Sequence, residues 1–143
     1  MLDLVSALHD VIREFEPATL LVPYAGDAHS DHRIVCHAAV SVSKCFRQPS
    51  VRQVLAYETI SETYQGADSL YSFAPNYFID IEPWLNQKTE LLGIYEQEMG
   101  DFPFPRSIAA VESLARVRGA ASGFEAAEAF MLLRGRSTAA GHV

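Results

Sequence analysis

Apolar and polar positions in the first third of the chain alternate between a helical and a strand-like pattern. Apolar residues recur at steps of three and four from Leu2 to Phe15, which predicts an amphipathic helix that Pro17 ends. The continuous apolar run from Ala18 to Val22 predicts a strand buried on both faces. A helical pattern over 31–46 and a strand pattern from Arg52 to Tyr57 follow. This succession of helix and strand is typical of an α/β fold with a parallel sheet.

The rest of the chain begins with a long stretch, Thr59 to Asn76, that shows no periodicity. A loop of this length in a compact domain is usually a lid or a binding loop. Four elements are predicted after it: a strand at Tyr77–Ile81, a helix from Glu82 to Gly100 that buries Leu85, Leu92, Tyr95 and Met99, a helix capped by Ser107 and ended by Gly119, and a strand at Phe130–Leu133.

Two histidines and two aspartates lie between the first strand and the second helix, in the stretch that ends Asp27-Ala28-His29-Ser30-Asp31-His32. Open α/β sheets place their chemistry outside the carboxyl ends of the strands, which is where this stretch falls. His29 and His32 are three residues apart, so at a helix start both can approach one metal ion, and Asp27 or Asp31 can fix the tautomer of an imidazole. Alternatively, Asp31 is an N-cap and the histidines are solvated.

Cys36 lies four residues after His32 and shares its helix face, so a site formed by His29, His32 and Cys36 is conceivable. The common outcome for such a residue is a small buried cysteine. Cys36 and Cys45 fall on roughly opposing faces of the predicted helix, which argues against a disulfide between them. Two unpaired cysteines indicate a reducing compartment.

Composition narrows the class of protein. The chain has 143 residues, 49% of them apolar, which is enough for one domain with a real core. Its 11 basic and 18 acidic side chains give a net charge of −7, which argues against binding to a nucleic-acid backbone. No apolar run approaches the length of a membrane span, and the start lacks the pattern of a signal peptide. We therefore expect a cytoplasmic protein.

Four ordered motifs together resemble the zinc-dependent N-deacetylases of the PIG-L/LmbE family. His29-Ser30-Asp31-His32 resembles the family's second signature, His-x-Asp-His. The other three resemble the branch of the family encoded with bacterial polysaccharide-biosynthesis genes: residues 57–63 (Tyr-Glu-Thr-Ile-Ser-Glu-Thr), residues 73–80 (Phe-Ala-Pro-Asn-Tyr-Phe-Ile-Asp), and residues 103–107 (Pro-Phe-Pro-Arg-Ser) with the later Arg-Val-Arg-Gly at 116–119. The likeness runs from about residue 2 to residue 134.

The resemblance implies a Rossmann-like three-layer fold with a mostly parallel sheet, and hydrolysis of the N-acetyl amide of an amino sugar. A zinc-bound water, a base and an oxyanion donor are required for that reaction. By resemblance His32 is a zinc ligand, His29 is a protonated imidazole that faces the oxyanion or the leaving amine, and Asp31 orients His29 and raises its pKa. Arg106, Glu58 and Asp27 are predicted to contact the substrate, a small N-acetylated amino sugar.

Residue-level alternatives remain for two of these predictions. Arg106, between Pro105 and a predicted helix cap, can grip a phosphate or carboxylate, or can form an ion pair on the acidic surface. The long loop carries Glu58, Glu62, Tyr64, Asp68 and Tyr71, which are the residue types that bind sugars, but a solvated loop has the same composition.

The family's first signature, His-Pro-Asp-Asp, supplies two zinc ligands and the general base, and this chain has no such motif. We therefore expect residues 1–134 to form the C-terminal part of a single deacetylase domain, followed by a flexible tail at 135–143. The remaining part of the sheet and of the zinc site would come from a missing N-terminal segment or from a second chain. The alternative is a non-catalytic sugar-binding or assembly module on the same scaffold. A serine hydrolase is a weaker option, because the chain has no Gly-x-Ser-x-Gly motif.

Overall fold

The computed structural model describes residues 2–66 and 72–138 and has the predicted α/β architecture. Its helices and strands are, in chain order, α1 (Leu2–Phe15), β1 (Thr19–Pro23), α2 (Ser30–Val42), β2 (Gln53–Tyr57), β3 (Tyr77–Asp80), α3 (Leu85–Gly93), α4 (Ile108–Ser122) and β4 (Ala127–Gly135). The four strands form one open sheet in the order β1-β2-β4-β3. Within the described ranges, no helix is both long enough and apolar enough to cross a membrane.

The chain divides into two compact units, of which the first comprises residues 1–74 and 131–143. In this unit β1 and β2 run parallel, with Thr19 opposite Gln53 and Pro23 opposite Tyr57, as the predicted crossover through α2 requires. Helices α1 and α2 contribute their apolar faces to a core that also contains both strands. The buried members of this core are Ile12, Val22, Tyr24, Cys36, Ala39, Val42, Val51, Val54 and Ala56.

Helix α2 ends four residues earlier than the periodicity predicts, at Val42 instead of Phe46. The Arg134 guanidinium reaches its C-terminal end, where Nη1 donates to the carbonyl oxygen of Ser43 at 2.6 Å and Nη2 to that of Val40 at 3.4 Å. These bonds satisfy carbonyls that the helix leaves unpaired. Cys45 therefore lies beyond the helix and is exposed, so the prediction that both cysteines share one helix is wrong. Both thiols are free, as expected.

The second unit comprises residues 75–130. Here β3 pairs antiparallel with the first half of β4, from Tyr77 opposite Phe130 to Asp80 opposite Ala127. Helices α3 and α4 pack with the segment after β3 around a small buried cluster of Ile81, Leu85, Ala115 and Ala126. The α/β class is thus confirmed, with an antiparallel pair at β3 and β4.

The predicted helix from Glu82 to Gly100 is shorter in the structure. A single 3-10 turn at Glu82–Trp84 precedes α3, which ends at Gly93, and a second 3-10 turn covers Glu96–Glu98. Of the four residues predicted to be buried only Leu85 is, and Tyr95 is 65% exposed. Glycine is a poor helix former, and with so few buried contacts beyond Gly93, packing does not sustain the helix through it.

Strand β4 is longer than predicted and extends to Gly135, the first residue of the predicted tail. Beyond it, the backbone N–H of Arg136 donates to Arg52 O at 3.0 Å, and its Nε donates to Val51 O at 3.2 Å. The chain is therefore fixed at least as far as Arg136. Residues 139–143 of the predicted tail lie outside the described residues.

Replacing Gly119 with alanine is expected to destabilise the protein. A Cβ there would lie 2.6 Å from Phe124 O and 2.9 Å from Ala126 N, where the chain reverses over the end of α4 through the left-handed Gly123 (φ 82°). Backbone atoms cannot yield easily, so we expect a loss of about 1–3 kcal/mol in the free energy of unfolding. Gly93→Ala is the matched control, because a Cβ at Gly93 meets nothing within 4 Å. Urea denaturation should show Gly119→Ala less stable and Gly93→Ala unchanged or more stable; equal stability of the two variants would contradict the steric argument.

Candidate active site

The histidine- and aspartate-rich stretch forms the loop between the end of β1 and the start of α2, as the sequence predicts. The loop is held from both sides: the Asp27 N–H donates to Tyr24 O at 3.3 Å, and the Ala28 N–H donates to Glu62 O at 3.2 Å. The second bond joins the loop to the turn that follows β2. A Cβ on Gly66 would collide with the carbonyl oxygen of Gly26, so this close approach of two backbones requires glycine at position 66.

Asp27 and His32 form the central contact of this site. Oδ2 of Asp27 lies 2.7 Å from Nδ1 of His32; the Asp27 side chain is fully buried, whereas that of His32 is 24% exposed. A carboxylate only accepts, so the hydrogen bond places a proton on Nδ1 of the neutral ring and leaves the Nε2 lone pair unprotonated. Histidines that bind metals almost always have their second nitrogen held by such a partner. The arrangement therefore prepares His32 to act as a ligand through Nε2.

Thr63 holds the other oxygen of the same carboxylate. Its hydroxyl donates to Oδ1 of Asp27 at 2.7 Å and accepts from the backbone N–H of Thr59 at 2.8 Å. The hydrogen-bonding capacity of the buried carboxylate is thus used on both oxygens. Thr63 was not among the predicted site residues, although it is the last residue of the motif at 57–63 and lies only six residues after β2.

The negative charge of Asp27 also acts on two weak acids near the loop. Burial first, and the Asp27 charge second, raise the pKa of the Tyr57 phenol at the end of β2. Burial raises the pKa of the Cys36 thiol, an effect to which the Asp27 charge adds and which a hydrogen bond with the Ala25 backbone opposes. Cys36 is therefore a buried neutral thiol, which is the common outcome foreseen for it.

His29 is the N-cap of α2. Its Nδ1 accepts the backbone N–H of Asp31 at 3.2 Å, and its ring stacks on that of His32 with centroids 5.1 Å apart and planes inclined by 22°. Because Nδ1 accepts, the proton of this neutral ring lies on Nε2, which is a hydrogen-bond donor. The pair of imidazoles predicted from their spacing is thus brought together. The N-cap is His29 and not Asp31, the alternative considered from the sequence.

Asp31 lies in the first turn of α2, where a carboxylate interacts favourably with the positive end of the helix dipole. It is exposed, and its contact with His29 is through the backbone N–H. Orientation of His29 by the Asp31 carboxylate stays a prediction.

Glu58 follows β2 directly and accepts a hydrogen bond from the Tyr64 hydroxyl at 2.6 Å. It belongs to the same unit as the Asp27–His32 pair. Two other residues predicted for sugar contacts, Asp68 and Tyr71, lie outside the described residues. Contact of Glu58 with a substrate stays a prediction.

Arg106 belongs to the second unit. Its Nη2 lies 2.9 Å from Glu98 Oε2, its Nε donates to Glu98 O at 2.6 Å, and its guanidinium stands over the Phe104 ring at 5.3 Å from the centroid. The ion pair considered as an alternative from the sequence is therefore present. A substrate contact at Arg106 stays a prediction.

Zn²⁺ in proteins takes at least three side-chain donors. Among residues 2–66 and 72–138, no group of three or more His, Cys, Asp or Glu side chains is arranged to hold a metal ion. The described residues therefore fit one anchored ligand, His32, and do not by themselves complete a zinc site.

Removing the Thr63 hydroxyl is expected to lower stability. Thr63→Val keeps the shape of the side chain but leaves Oδ1 of buried Asp27 and the Thr59 N–H without their partner. Each such loss costs about 1–3 kcal/mol, so the free energy of unfolding should fall by about 2–6 kcal/mol when both groups stay unpaired. Thr63→Ser retains the hydroxyl and is the control. If urea denaturation gave the two variants equal stability, the hydroxyl would not be supporting the loop.

Comparison with solved structures identifies proteins of similar fold. The N,N'-diacetylchitobiose deacetylase from Pyrococcus horikoshii, solved with its inhibitor MPG, superposes with a TM-score of 0.68 over 92% of this chain and 51% of its own length, at 16% sequence identity. The conserved protein TT1542 from Thermus thermophilus has a TM-score of 0.68 over 99% of this chain and 63% of its own length, at 20% identity. This chain thus shares a fold with these two proteins and spans about half to two thirds of their length.

Comparison of the sequence with models of protein families gives no match. Comparison with curated proteins gives none either.

Proposed function

We propose that this chain carries part of the active site of a zinc-dependent hydrolase that removes the N-acetyl group from an amino sugar, cleaving a linear amide C–N bond. The observation that carries the proposal is the Asp27–His32 pair. A buried carboxylate lies 2.7 Å from one nitrogen of the imidazole, and the other nitrogen keeps a lone pair that can bind a metal ion. The motif resemblance and the deacetylase fold of the structural neighbour point in the same direction. Bound zinc would supply a water of lowered pKa and polarise the amide carbonyl.

The residues of this chain have separate tasks in that reaction. His32 would hold the metal through Nε2, while Asp27, held by Thr63, fixes the ring and its tautomer. His29, stacked on His32, presents an Nε2–H that donates a hydrogen bond to the oxygen of the tetrahedral intermediate. A protonated His29 that gives a proton to the leaving amine, the role that the motif resemblance implies, would have to break the bond from the Asp31 N–H, because both ring nitrogens would then carry protons.

The other metal ligands and the general base would then come from outside residues 2–66 and 72–138, and we propose a preceding segment or a second chain as their source. The edge of the sheet supports this part of the proposal. Strand β1 is an edge strand, and its Leu21 is 57% exposed although strands of parallel sheets are normally covered on both faces. An uncovered parallel edge can accept another strand.

A second candidate is a non-catalytic sugar-binding or assembly module on the same scaffold. It is favoured by one observation: the part of the chain that the structure describes holds no set of three metal-binding side chains. The two candidates differ in whether the protein, with a metal ion, releases amine from an N-acetylated sugar or only binds the sugar. Release of amine can be measured.

The test uses the protein purified as its gene encodes it, together with any chain that copurifies. It is stripped with a chelator and incubated with N,N'-diacetylchitobiose and with N-acetylated sugar nucleotides, with and without added Zn²⁺. We expect free amine and acetate to appear in equal amounts, and only with the metal. Saturable binding of these sugars with no release of amine at any metal concentration would contradict the hydrolase and support the binding module.

A further inference from the structure

A concavity that the Asp27–His32 pair does not line lies in the first unit, against the C-terminal half of α2. It has a volume of about 730 Å³ and is bounded by α2, by the ends of β1 and β2 and by the 131–134 part of β4. Pockets that bind small molecules usually measure about 300–1,000 Å³. Neither His29, Asp27 nor His32 lines it, although Tyr24 and Ala25 of the preceding segment do.

Most of the pocket surface is apolar. Val40 on α2 forms part of the wall, while Ala56 of β2 and Met131 of β4 lie on the sheet side. Such a surface favours a ligand with a hydrocarbon body, because burial of each methylene group is favourable.

Two basic side chains line the pocket near the C-terminal end of α2, and its other polar lining residues include Tyr24, His37 and Ser72. Lys44 and Arg134 both line it, and none of the described residues that line it is acidic. The Arg134 guanidinium is bonded to the carbonyl oxygens of Ser43 and Val40, so it offsets the negative end of the helix dipole. In the described part of the chain Lys44 has no carboxylate within ion-pair distance. A positively charged end is notable in a chain of net charge −7.

We infer that this pocket binds a single-chain alkyl carboxylate, with the hydrocarbon along Val40, Met131 and Leu133 and the carboxylate beside Lys44. The apolar lining matches the hydrocarbon chain of the ligand, and the positive charge at one end matches a negatively charged head group. The Ser41 hydroxyl, which also lines the pocket, is a further donor for the carboxylate.

Isothermal titration of the whole protein with octanoate, decanoate and dodecanoate, each below its micelle concentration, tests the inference. Affinity should rise with chain length by up to about fourfold per added methylene, the factor for full transfer of CH₂ from water. Dodecanoate should bind more tightly than dodecanol, and dodecylamine least. Absence of saturable binding, or equal affinity for the acid and the alcohol, would overturn the proposal.

Three variants distinguish the contact with the ligand's carboxylate from the contact with its hydrocarbon chain. Lys44→Gln should weaken dodecanoate binding by up to about fivefold, the upper end for an exposed charge pair, and leave dodecanol binding unchanged. Lys88→Gln is the matched control, since Lys88 does not line the pocket, and it should change neither ligand. Ser41→Phe places a ring into the pocket from a half-buried position of α2 and should weaken binding of both ligands while circular dichroism shows an intact fold. Unchanged dodecanoate affinity in folded Ser41→Phe would place the ligand elsewhere.

Discussion

Replacing His32 with alanine is expected to abolish release of amine from N-acetylated sugars. The ring is the one metal-binding group of the described residues that a buried carboxylate fixes in place, and alanine has nothing to substitute for its Nε2. If the ion stabilises the transition state by several kcal/mol, kcat/KM should fall by at least about a thousandfold. Steady-state assays of free amine, with zinc content measured on the same samples by atomic emission, check both consequences.

His9→Ala is the control for this experiment. His9 lies on α1 and is partly exposed. In the described structure its side chain pairs only with the neighbouring Asp10, so its removal tests the effect of losing a surface imidazole. Full zinc content and full turnover in His32→Ala would refute the assignment of the site. Loss of turnover with unchanged zinc would move His32 from a metal-binding to a substrate-binding role.

Asp27→Asn is expected to reduce zinc affinity and activity by about 10- to 100-fold, the usual effect of losing the partner of a ligating histidine. The amide keeps the volume of the carboxylate in a side-chain position that is fully buried, so the fold should survive. What changes is the charge, and with it the preference for a proton on Nδ1 of His32, 2.7 Å away. Competition with a chromophoric zinc chelator measures the affinity.

The control is Asp3→Asn, which removes an exposed carboxylate from the first turn of α1 and should leave zinc affinity unchanged. If Asp27→Asn bound zinc as tightly as the natural protein, the carboxylate would be serving the structure of the loop alone. In that case the Thr63→Val variant would lower stability with no effect on zinc, which separates the two roles.

The sequence determined the elements whose pattern is set by local periodicity. Helix α1 has the predicted bounds, and β1 and β2 differ from prediction by about one residue at their ends. Apolar steps of three and four, and short apolar runs bounded by prolines and polar residues, are properties of the chain itself. The loop between β1 and α2 was predicted for the same reason, since His29 and His32 follow a strand and open a helix.

Element ends and partners were decided by tertiary contacts. The end of α2 at Val42 is bonded by Arg134, which is 91 residues from Ser43 in sequence. The bond from Thr63 to Asp27 spans 36 residues. Neither contact leaves a periodic trace in the sequence, because a hydrogen bond between distant residues requires only that folding bring one donor to one acceptor.

The two aspartates of the motif also show what the sequence predicts and what only tertiary contacts decide. The sequence placed Asp27 and Asp31 equally near the imidazoles and left open which of them fixes a ring. Burial decided it: Asp27 is 2% exposed and bonded to His32, whereas the Asp31 carboxylate lies on the surface of α2. The spacing in the sequence predicted which types of residue meet at this loop. Long-range packing fixes the path of the backbone, and that path decided which of these residues pair.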